Sequence, residues 1–260
     1  MRLLFVGDII GGAGRECLRQ ALPRHPADFV VVNGENTAAG FGLTPRLFAE
    51  LRELGVDVVT SGNHIWNRKD ILPLLAAGEE RLLRPANMPA GALGRGWTVF
   101  EKNGVRVAVI NLIGRVFMEP NESPFTTLDA LLAELQGRAD FIMADFHAEA
   151  TAEKHALAWY ADGRLGALVG THTHVQTADE RLLPRGTAFI TDAGMTGPRD
   201  SVIGVKTEQA LHKMTTGMPV RFEVAGGPCI FNALLLETDP ATGRVVSLQR
   251  LNEEYAAQGG

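Results

Sequence analysis

Side chains that commonly bind metal ions follow short apolar segments at five places along the chain. They are carboxylates, amides and imidazoles, at Asp8, Glu35, Asn36, Asn63, His64, His147, His172 and His174. Carboxylate, amide and imidazole groups together suit Mn, Fe, Co or Zn better than a thiophilic ion. The pattern predicts a metal site assembled from distant parts of the sequence.

Each of these residues, taken alone, has a simpler explanation. An Asp or Asn after a strand commonly ends a turn or caps a helix, because its side chain accepts hydrogen bonds from nearby backbone amides. His172 and His174 fit that explanation less well, since residues two apart in an extended segment point to the same side. The recurrence at five strand ends favours a metal site over five unrelated turns.

The apolar segments themselves are rich in β-branched residues, which is typical of buried parallel strands. They span residues 3–6, 29–32, 56–59, 105–110, 141–143 and 167–169. Helical patterns lie between many of them, at residues 15–22, 45–54, 127–135 and 151–160. In an open α/β sheet the carboxyl ends of the strands share one edge, where ligands bind. We therefore expect the polar residues to meet in one crevice.

The later part of the chain has fewer helical patterns and indicates antiparallel β structure. The expected strands are residues 187–191, 220–224, 230–237 and 245–251. No internal repeat or linker interrupts the sequence. Together these patterns predict an α/β fold with a two-layer β core flanked by helices, as a single domain over residues 1–260.

Composition restricts the classes of protein that remain. The 260 residues are 45% hydrophobic and 21% charged, which excludes disorder, collagen and coiled coil. The net charge of −5 provides no basic surplus, so neither a nucleic acid polymer nor an anionic membrane is an expected partner. Cys17 and Cys229 are too few for a disulfide framework. The first apolar segment is too short for a signal peptide, and we expect a cytoplasmic protein.

The order of the motifs resembles the calcineurin-like metallophosphoesterase superfamily. The matching residues are Gly7–Asp8, an acidic residue after the second strand, Gly62–Asn63–His64, His147 and the stretch Gly170–Thr171–His172–Thr173–His174. Three positions depart from the usual superfamily pattern. Ile10 replaces a metal-binding His, Glu35 replaces a bridging Asp, and Thr171 replaces the Gly that usually precedes the first His.

The same three departures occur in a narrower group, the YmdB-like phosphodiesterases, which this sequence resembles. The similar stretches are residues 5–11, 33–36, 61–64, 145–149, 169–177 and 191–198. The resemblance implies a four-layer α/β/β/α sandwich and a two-metal site. It also implies iron as the metal, hydrolysis of small phosphodiesters such as 2′,3′-cyclic nucleotides, and a homo-oligomer. Mn, Zn and Co remain compatible with the ligand set.

The resemblance also assigns roles to individual residues. Asp8 and His174 would hold one metal, with Asn36 as an extra ligand in place of the missing His. The second metal would be held by Asn63, His147 and His172. Glu35 would bridge the two ions.

Catalysis on this pattern would use a metal-bound hydroxide that attacks phosphorus in line. A ribose alkoxide is a poor leaving group, and His64, next to a ligand but not one itself, is the expected proton donor. The alternative for His64 is an orienting or merely packed histidine. Arg115 and Phe117 are expected to line a substrate pocket, although an aromatic residue at a strand end is more often part of the core. Glu149 and Lys154 are expected on a solvated helix face.

Other functions stay open at this point. A phosphomonoesterase or protein phosphatase would share the metal chemistry and differ in its pocket. A slow metal- and nucleotide-binding regulatory protein is the third reading, because Ile10 removes one ligand. The glycines at 11, 12 and 14 do not have dinucleotide-binding spacing, and no Gly-x-Ser-x-Gly motif supports a serine hydrolase.

Overall fold

Two mixed β-sheets form the centre of the protein, as seen in a computed structural model that describes residues 1–256. The last four residues of the expected domain lie outside the described residues. The first sheet has the order β2-β11-β12-β1-β3-β4, with β13 also paired to β12. Its strands are β1 (Arg2–Val6), β2 (Asp8–Ile9), β3 (Phe29–Asn33), β4 (Val58–Thr60), β11 (Met195–Pro198), β12 (Cys229–Thr238) and β13 (Val245–Tyr255).

The second sheet has the order β5-β6-β7-β8-β10-β9. Its strands are β5 (Trp97–Lys102), β6 (Val105–Ile113), β7 (Phe141–His147), β8 (Ala167–Thr171), β9 (Arg181–Leu182) and β10 (Ala188–Ile190). The α-helices are α1 (Gly11–Ala21), α2 (Pro45–Glu53), α3 (Leu72–Ala76), α4 (Pro124–Leu135), α5 (Thr151–Ala161) and α6 (Thr207–Thr216). Within residues 1–256, no helix is long and apolar enough to cross a membrane.

Alternating side chains of the strands build three apolar layers. In β1, Leu3 and Phe5 pack between the two sheets, whereas Leu4 and Val6 pack in a second cluster with residues of α1 and α2. Residues of α4 and α5 cover the outer face of the second sheet. Successive residues of a strand point to opposite faces, so one strand contributes to two layers. The predicted four-layer α/β/β/α sandwich is confirmed.

Local sequence signals explain several element boundaries. Helix α2 begins as expected after Thr44, whose hydroxyl accepts a hydrogen bond from the Leu47 amide at 3.3 Å. The hairpin between β5 and β6 was missed, although Asn103 and Gly104 at its turn are a known hairpin signal. Both residues have positive φ, at 55° and 76°. Residues 220–224, by contrast, form no strand, and Val224 makes one isolated bridge to Val205.

The strands whose ends carry the polar residues belong to two sheets, in agreement with the predicted two-layer β core. Strands β1, β3 and β4 belong to the first sheet, whereas β7 and β8 belong to the second. The polar residues converge because the carboxyl ends of both sets lie at the same end of the sandwich. Strand β7 also extends four residues beyond the predicted end, since Asp145 and His147 pair with β8 inside the ladder.

Candidate metal centre

Four potential ligand atoms crowd around one point at the carboxyl ends of β3, β4, β7 and β8. His147 Nε2 lies 3.1 Å from Glu35 Oε1, 3.1 Å from Asn63 Oδ1 and 3.0 Å from His172 Nδ1. Glu35 and His147 are buried, and His172 is partly buried. The fold thus brings together the three residues that the resemblance assigned to one metal, together with the expected bridging carboxylate.

The hydrogen bonds around this cluster determine which atoms carry lone pairs. Thr171 donates its hydroxyl hydrogen to Asp145 at 2.7 Å, so it accepts from His147 Nδ1 at 3.0 Å. His172 Nε2 donates to Glu149 Oε2 at 2.9 Å. His172 Nδ1 then carries a lone pair, as does His147 Nε2 whenever its ring is neutral, and the two nitrogens face each other and two oxygens. Such a set of lone pairs is repulsive alone and fits a bound cation.

The pKa shifts of the two histidines in this cluster also favour a bound cation. Burial disfavours a charged His147 ring, but the adjacent Glu35 carboxylate outweighs burial and raises the pKa of His147 to about 9. Burial and the neighbouring His147 lower the pKa of His172 to about 3, which keeps its ring neutral. A carboxylate that attracts a proton so strongly also attracts a metal ion.

A second group of potential ligands lies beside the first. Asn36 Nδ2 is 3.2 Å and Asp8 Oδ1 is 3.9 Å from His174 Nε2. His174 Nδ1 donates to the Ile203 carbonyl at 2.9 Å, which leaves a lone pair on Nε2. The Asp8 Oδ1 and Asn36 Oδ1 atoms are buried without a hydrogen-bond partner. Unpartnered buried oxygens are costly, and these two fit a cation better than a purely structural role.

The turn that carries His172 and His174 has a strained backbone. Their φ angles are 106° and 65°, in a region that favours glycine. The turn is held by hydrogen bonds from the His172 amide to Asp8 at 3.2 Å and from the Thr173 amide to Asp192 at 3.0 Å. Strain of this kind persists only where surrounding contacts enforce it, and it is concentrated at functional sites.

Glu35 and His64 lie between the ligand groups and a cavity. Glu35 Oε1 faces His147, while Oε2 accepts a hydrogen bond from the His64 amide at 3.1 Å. The His64 ring packs edge-on against Phe41, with ring centroids 5.0 Å apart. Burial lowers the pKa of His64. The bridging role of Glu35 and the acid role of His64 stay predictions.

The adjoining cavity has a volume of about 450 Å³, within the range of small-ligand sites. Its polar side consists of Glu35, Asn36, His64, Glu149, His172 and His174. Arg115 and Phe117 lie on the loop after β6 and are not among its lining residues. The Phe117 ring is 89% exposed. Substrate contact by these two residues stays a prediction.

Several supporting residues were not identified from the sequence. Asp145 is fully buried and accepts hydrogen bonds from Thr171, Thr60 and Asn33, and burial raises the pKa of Asp145 to about 7. Its position two residues before His147 in the same strand is the signal that could have indicated it. The expectation of a solvated Lys154 is wrong, because this side chain is fully buried and pairs with Asp192 at 2.7 Å.

Glu149 also differs from the sequence expectation. Its side chain is 48% exposed, but it lines the cavity and bonds to His172 rather than simply facing solvent. Glu149 lies in the short loop between β7 and α5, and Lys154 lies within α5, so a helical sequence pattern surrounds both residues. No periodicity in the sequence distinguishes them from surface residues.

Comparison with known proteins places the chain in a family. A family model described as YmdB-like protein matches residues 4–251. The chain is also 46% identical over 255 residues to the 2′,3′-cyclic-nucleotide 2′-phosphodiesterase of Bacillus subtilis (strain 168), covering 96% of each protein. The chain belongs to the YmdB-like family. The resemblance inferred from the motifs is therefore confirmed.

Solved structures of relatives support the fold. A structure described as a novel phosphatase from Mycoplasma pneumoniae superposes on this YmdB-like protein with a TM-score of 0.91, at 36% identity, covering 99% of this chain and 94% of that one. The NAD nucleotidase of Haemophilus influenzae matches 99% of this chain and 56% of that one, with a TM-score of 0.59 at 14% identity. The second likeness concerns the fold alone.

Proposed function

We propose that this YmdB-like protein is a metal-dependent phosphodiesterase that hydrolyses small phosphodiesters, with 2′,3′-cyclic nucleotides as the substrate class. The observation that carries the proposal is the crowding of lone pairs around His147 Nε2 at the edge of a 450 Å³ cavity. The name of the Bacillus subtilis relative supports the choice of substrate class.

The proposed centre holds two metal ions in adjacent ligand sets. Asn63, His147 and His172 form one set, and Asp8, Asn36 and His174 form the other, with Glu35 between them. When bound, such ions acidify water and offset the negative charge of a phosphoryl group. Iron is the expected ion, with Mn, Zn or Co as alternatives. The support for iron and for a homo-oligomer is the family resemblance, whereas a cytoplasmic location stays an expectation from the sequence.

Two side chains outside the proposed ligand sets orient the histidine ligands. Thr171 fixes the His147 ring through Nδ1, and Glu149 fixes the His172 ring through Nε2. Both contacts turn the free ring nitrogen toward the centre, as carboxylate and hydroxyl partners of metal-binding histidines generally do. The acidic lining of the cavity would repel a phosphodiester by itself, so substrate binding depends on the metals.

His64 is the proposed proton donor to the leaving oxygen. It lines the cavity between Glu35 and Phe41, and it lies outside both ligand sets. Burial lowers the pKa of His64, which makes its protonated ring a stronger acid toward a departing alkoxide.

The experiment that tests the proposal is a steady-state assay panel on metal-loaded protein. The substrates are 2′,3′-cAMP, 3′,5′-cAMP, bis-p-nitrophenyl phosphate and p-nitrophenyl phosphate, with metal content measured on the same samples. Cleavage of diesters with weak cleavage of the monoester is the expected result. Activity that persists after complete removal of metal would contradict it.

Two other functions have a specific observation in their favour. The description of the Mycoplasma pneumoniae relative as a phosphatase favours a phosphomonoesterase, which the reverse substrate preference would indicate. The buried Ile10, packed against Gly197 and Gly204, leaves the Asp8 ligand set without the usual imidazole and favours a slow regulatory protein. Tight nucleotide binding without turnover of any of the four esters would indicate the latter.

A further inference from the structure

The cavity beside the metal centre has two chemically different sides. Metal-binding and acidic side chains form one side, and hydrophobic side chains form the other. We call the second side the apolar wall, and its principal residues are Phe41, Val202, Ile203, Val205, Met214 and Phe222. None of these side chains carries a hydrogen-bonding group except through weak sulfur contacts.

Most residues of the apolar wall lie in the long connection between β11 and β12, which contains α6. Backbone hydrogen bonds from Lys206 to Glu223 and from Ala225 to Gly204, both 3.0 Å, close this connection onto itself. The bond from His174 Nδ1 to the Ile203 carbonyl at 2.9 Å fastens it to the ligand set. The wall is therefore positioned relative to the atoms that would hold the phosphoryl group.

Part of the apolar wall faces solvent. Ile203 is 51% exposed and Met214 is 77% exposed, although both line a cavity that has charged groups on its other side. Exposed apolar side chains grouped around a polar centre are typical of a ligand-binding groove. A phosphodiester seated at the metal centre must direct its remaining atoms into this space.

We infer that the apolar wall binds the nucleobase of the substrate by stacking and van der Waals contact, with Phe41, Phe222 and Met214 as specificity residues. This inference rests on the proposed function. Stacking and apolar contact tolerate any base, because every base has a π-face. Strong selection of one base requires buried hydrogen-bonding groups, which the side chains of the wall lack. The enzyme should therefore require a base without distinguishing strongly between bases.

The substrate test compares the four 2′,3′-cyclic nucleotides with methyl riboside 2′,3′-cyclic phosphate, which has no base. We expect kcat/KM values for the four nucleotides to lie within about tenfold of one another, and the baseless diester to be poorer by about tenfold or more. Equal cleavage of the baseless diester would overturn the inference. So would a preference of more than about a hundredfold for one base over the others.

The variant test uses two residues of the apolar wall, Met214 on α6 and Phe222 in the segment that follows this helix. Met214→Ala removes a side chain of the wall, and Phe222→Ala removes an aromatic ring from it. We expect either variant to lower the ratio of kcat/KM for nucleotide over baseless diester by about fivefold to tenfold. Leu211→Ala is the matched control, since Leu211 is 54% exposed on α6 but does not line the cavity. An unchanged ratio in both test variants would contradict the assigned role.

Failure of the proposed function is distinguishable from failure of the inference. If no diester is cleaved, the proposed function fails, and the apolar wall is judged by calorimetry with metal-loaded protein. Adenosine 3′-monophosphate should then bind about tenfold more tightly than methyl riboside 3-phosphate, which lacks only the base, and Met214→Ala should reduce that difference. Equal affinities for the two ligands would overturn the inference independently of turnover.

Discussion

Acidic side chains flank a cavity at both ends of the β-sandwich, but their hydrogen-bond and ion pairing differs between the two ends. The cavity at the amino end of β1 is the larger, at about 580 Å³, and Asp28 and Asp140 line it. Asp28 accepts a hydrogen bond from the Arg2 amide at 2.7 Å, and Asp140 pairs with Arg106 at 2.7 Å. Nearby Asp57 accepts from the Val30 amide and from Lys102, each at 2.9 Å.

At the carboxyl end of β1 the polar groups are incompletely paired. Asp8 Oδ1 and Asn36 Oδ1 have no hydrogen-bond partner, and the ring nitrogens of His147 and His172 face each other at 3.0 Å. Neither cavity volume nor acidity therefore distinguishes the candidate metal-binding end from the other end. What identifies it is a set of buried lone pairs that other protein groups leave unsatisfied.

Removing the charge of the expected bridging ligand should have the largest effect. Glu35→Gln keeps the shape of the side chain but weakens its attraction for cations. We expect turnover of 2′,3′-cAMP to fall by about a thousandfold, with reduced metal content. Elemental analysis and steady-state kinetics on the same preparation measure both.

The matched control for that change is Asp57→Asn at the opposite end, where the carboxylate is already paired. It should leave metal content and kcat/KM unchanged. The comparison of the two ends would fail if Glu35→Gln retained full metal content and activity, or if Asp57→Asn lost them.

The second prediction separates proton donation from metal binding at the carboxyl end. His64→Gln should lower kcat for diester cleavage by about a hundredfold or more, because the leaving oxygen loses its acid. Metal content should stay at the wild-type value, since His64 is outside both ligand sets. Metal lost in proportion to activity would assign His64 a ligand role instead.

The features of the carboxyl end that can be predicted from the sequence are those that depend on residues close together along the chain. Residue types at strand ends indicated Asp8, Glu35 and His147, because a strand followed by polar residues is a local pattern. Helix α2 was predicted through Thr44 and Pro45 for the same reason. These features need no knowledge of which strands become neighbours.

Features that depend on distant pairing were not predictable in the same way. The division of the strands between two sheets follows from long-range register, which a single sequence does not encode in a local pattern. The burial of Lys154 depends on Asp192, 38 residues away. The apolar wall depends on α6, whose sequence has no strong hydrophobic periodicity. Ala210 is the one buried residue of that helix.

The third prediction concerns the orientation of a ligand rather than the ligand itself. Glu149→Ala removes the acceptor for His172 Nε2 and frees the ring to rotate or change tautomer. Metal affinity should weaken by about tenfold to a hundredfold, measured by competition with a chelator. Glu149→Gln is the matched control, since it keeps an acceptor and should lose less. Equal metal affinities for the wild type and Glu149→Ala would contradict the role of Glu149 in orienting His172.

The fourth prediction tests the claim that carboxylates at the opposite end are structural. Asp57→Ala leaves the buried Val30 amide without its acceptor and should reduce the free energy of unfolding by about 1–3 kcal/mol. The melting temperature should fall by a few degrees while kcat/KM stays constant. Asp57→Asn keeps an acceptor for Val30 and should lose less stability. A loss of activity at 25 °C in either variant would contradict the division between the two ends.

The smallest expected effect is a pH dependence at the opposite end. The Arg106 side chain hydrogen-bonds to Asp140 and lowers the pKa of Asp140 to about 2, from an ordinary value of 3.8. A lowered pKa in the folded state means that the pair stabilises the fold above about pH 4 and loses that contribution as the pH falls toward 2. The melting temperature of Asp140→Asn should therefore lie slightly below wild type at pH 6, and the difference should shrink at pH 3. Because the pair is exposed, 1 M salt should also reduce the difference, and a difference that grew on acidification would refute the assignment.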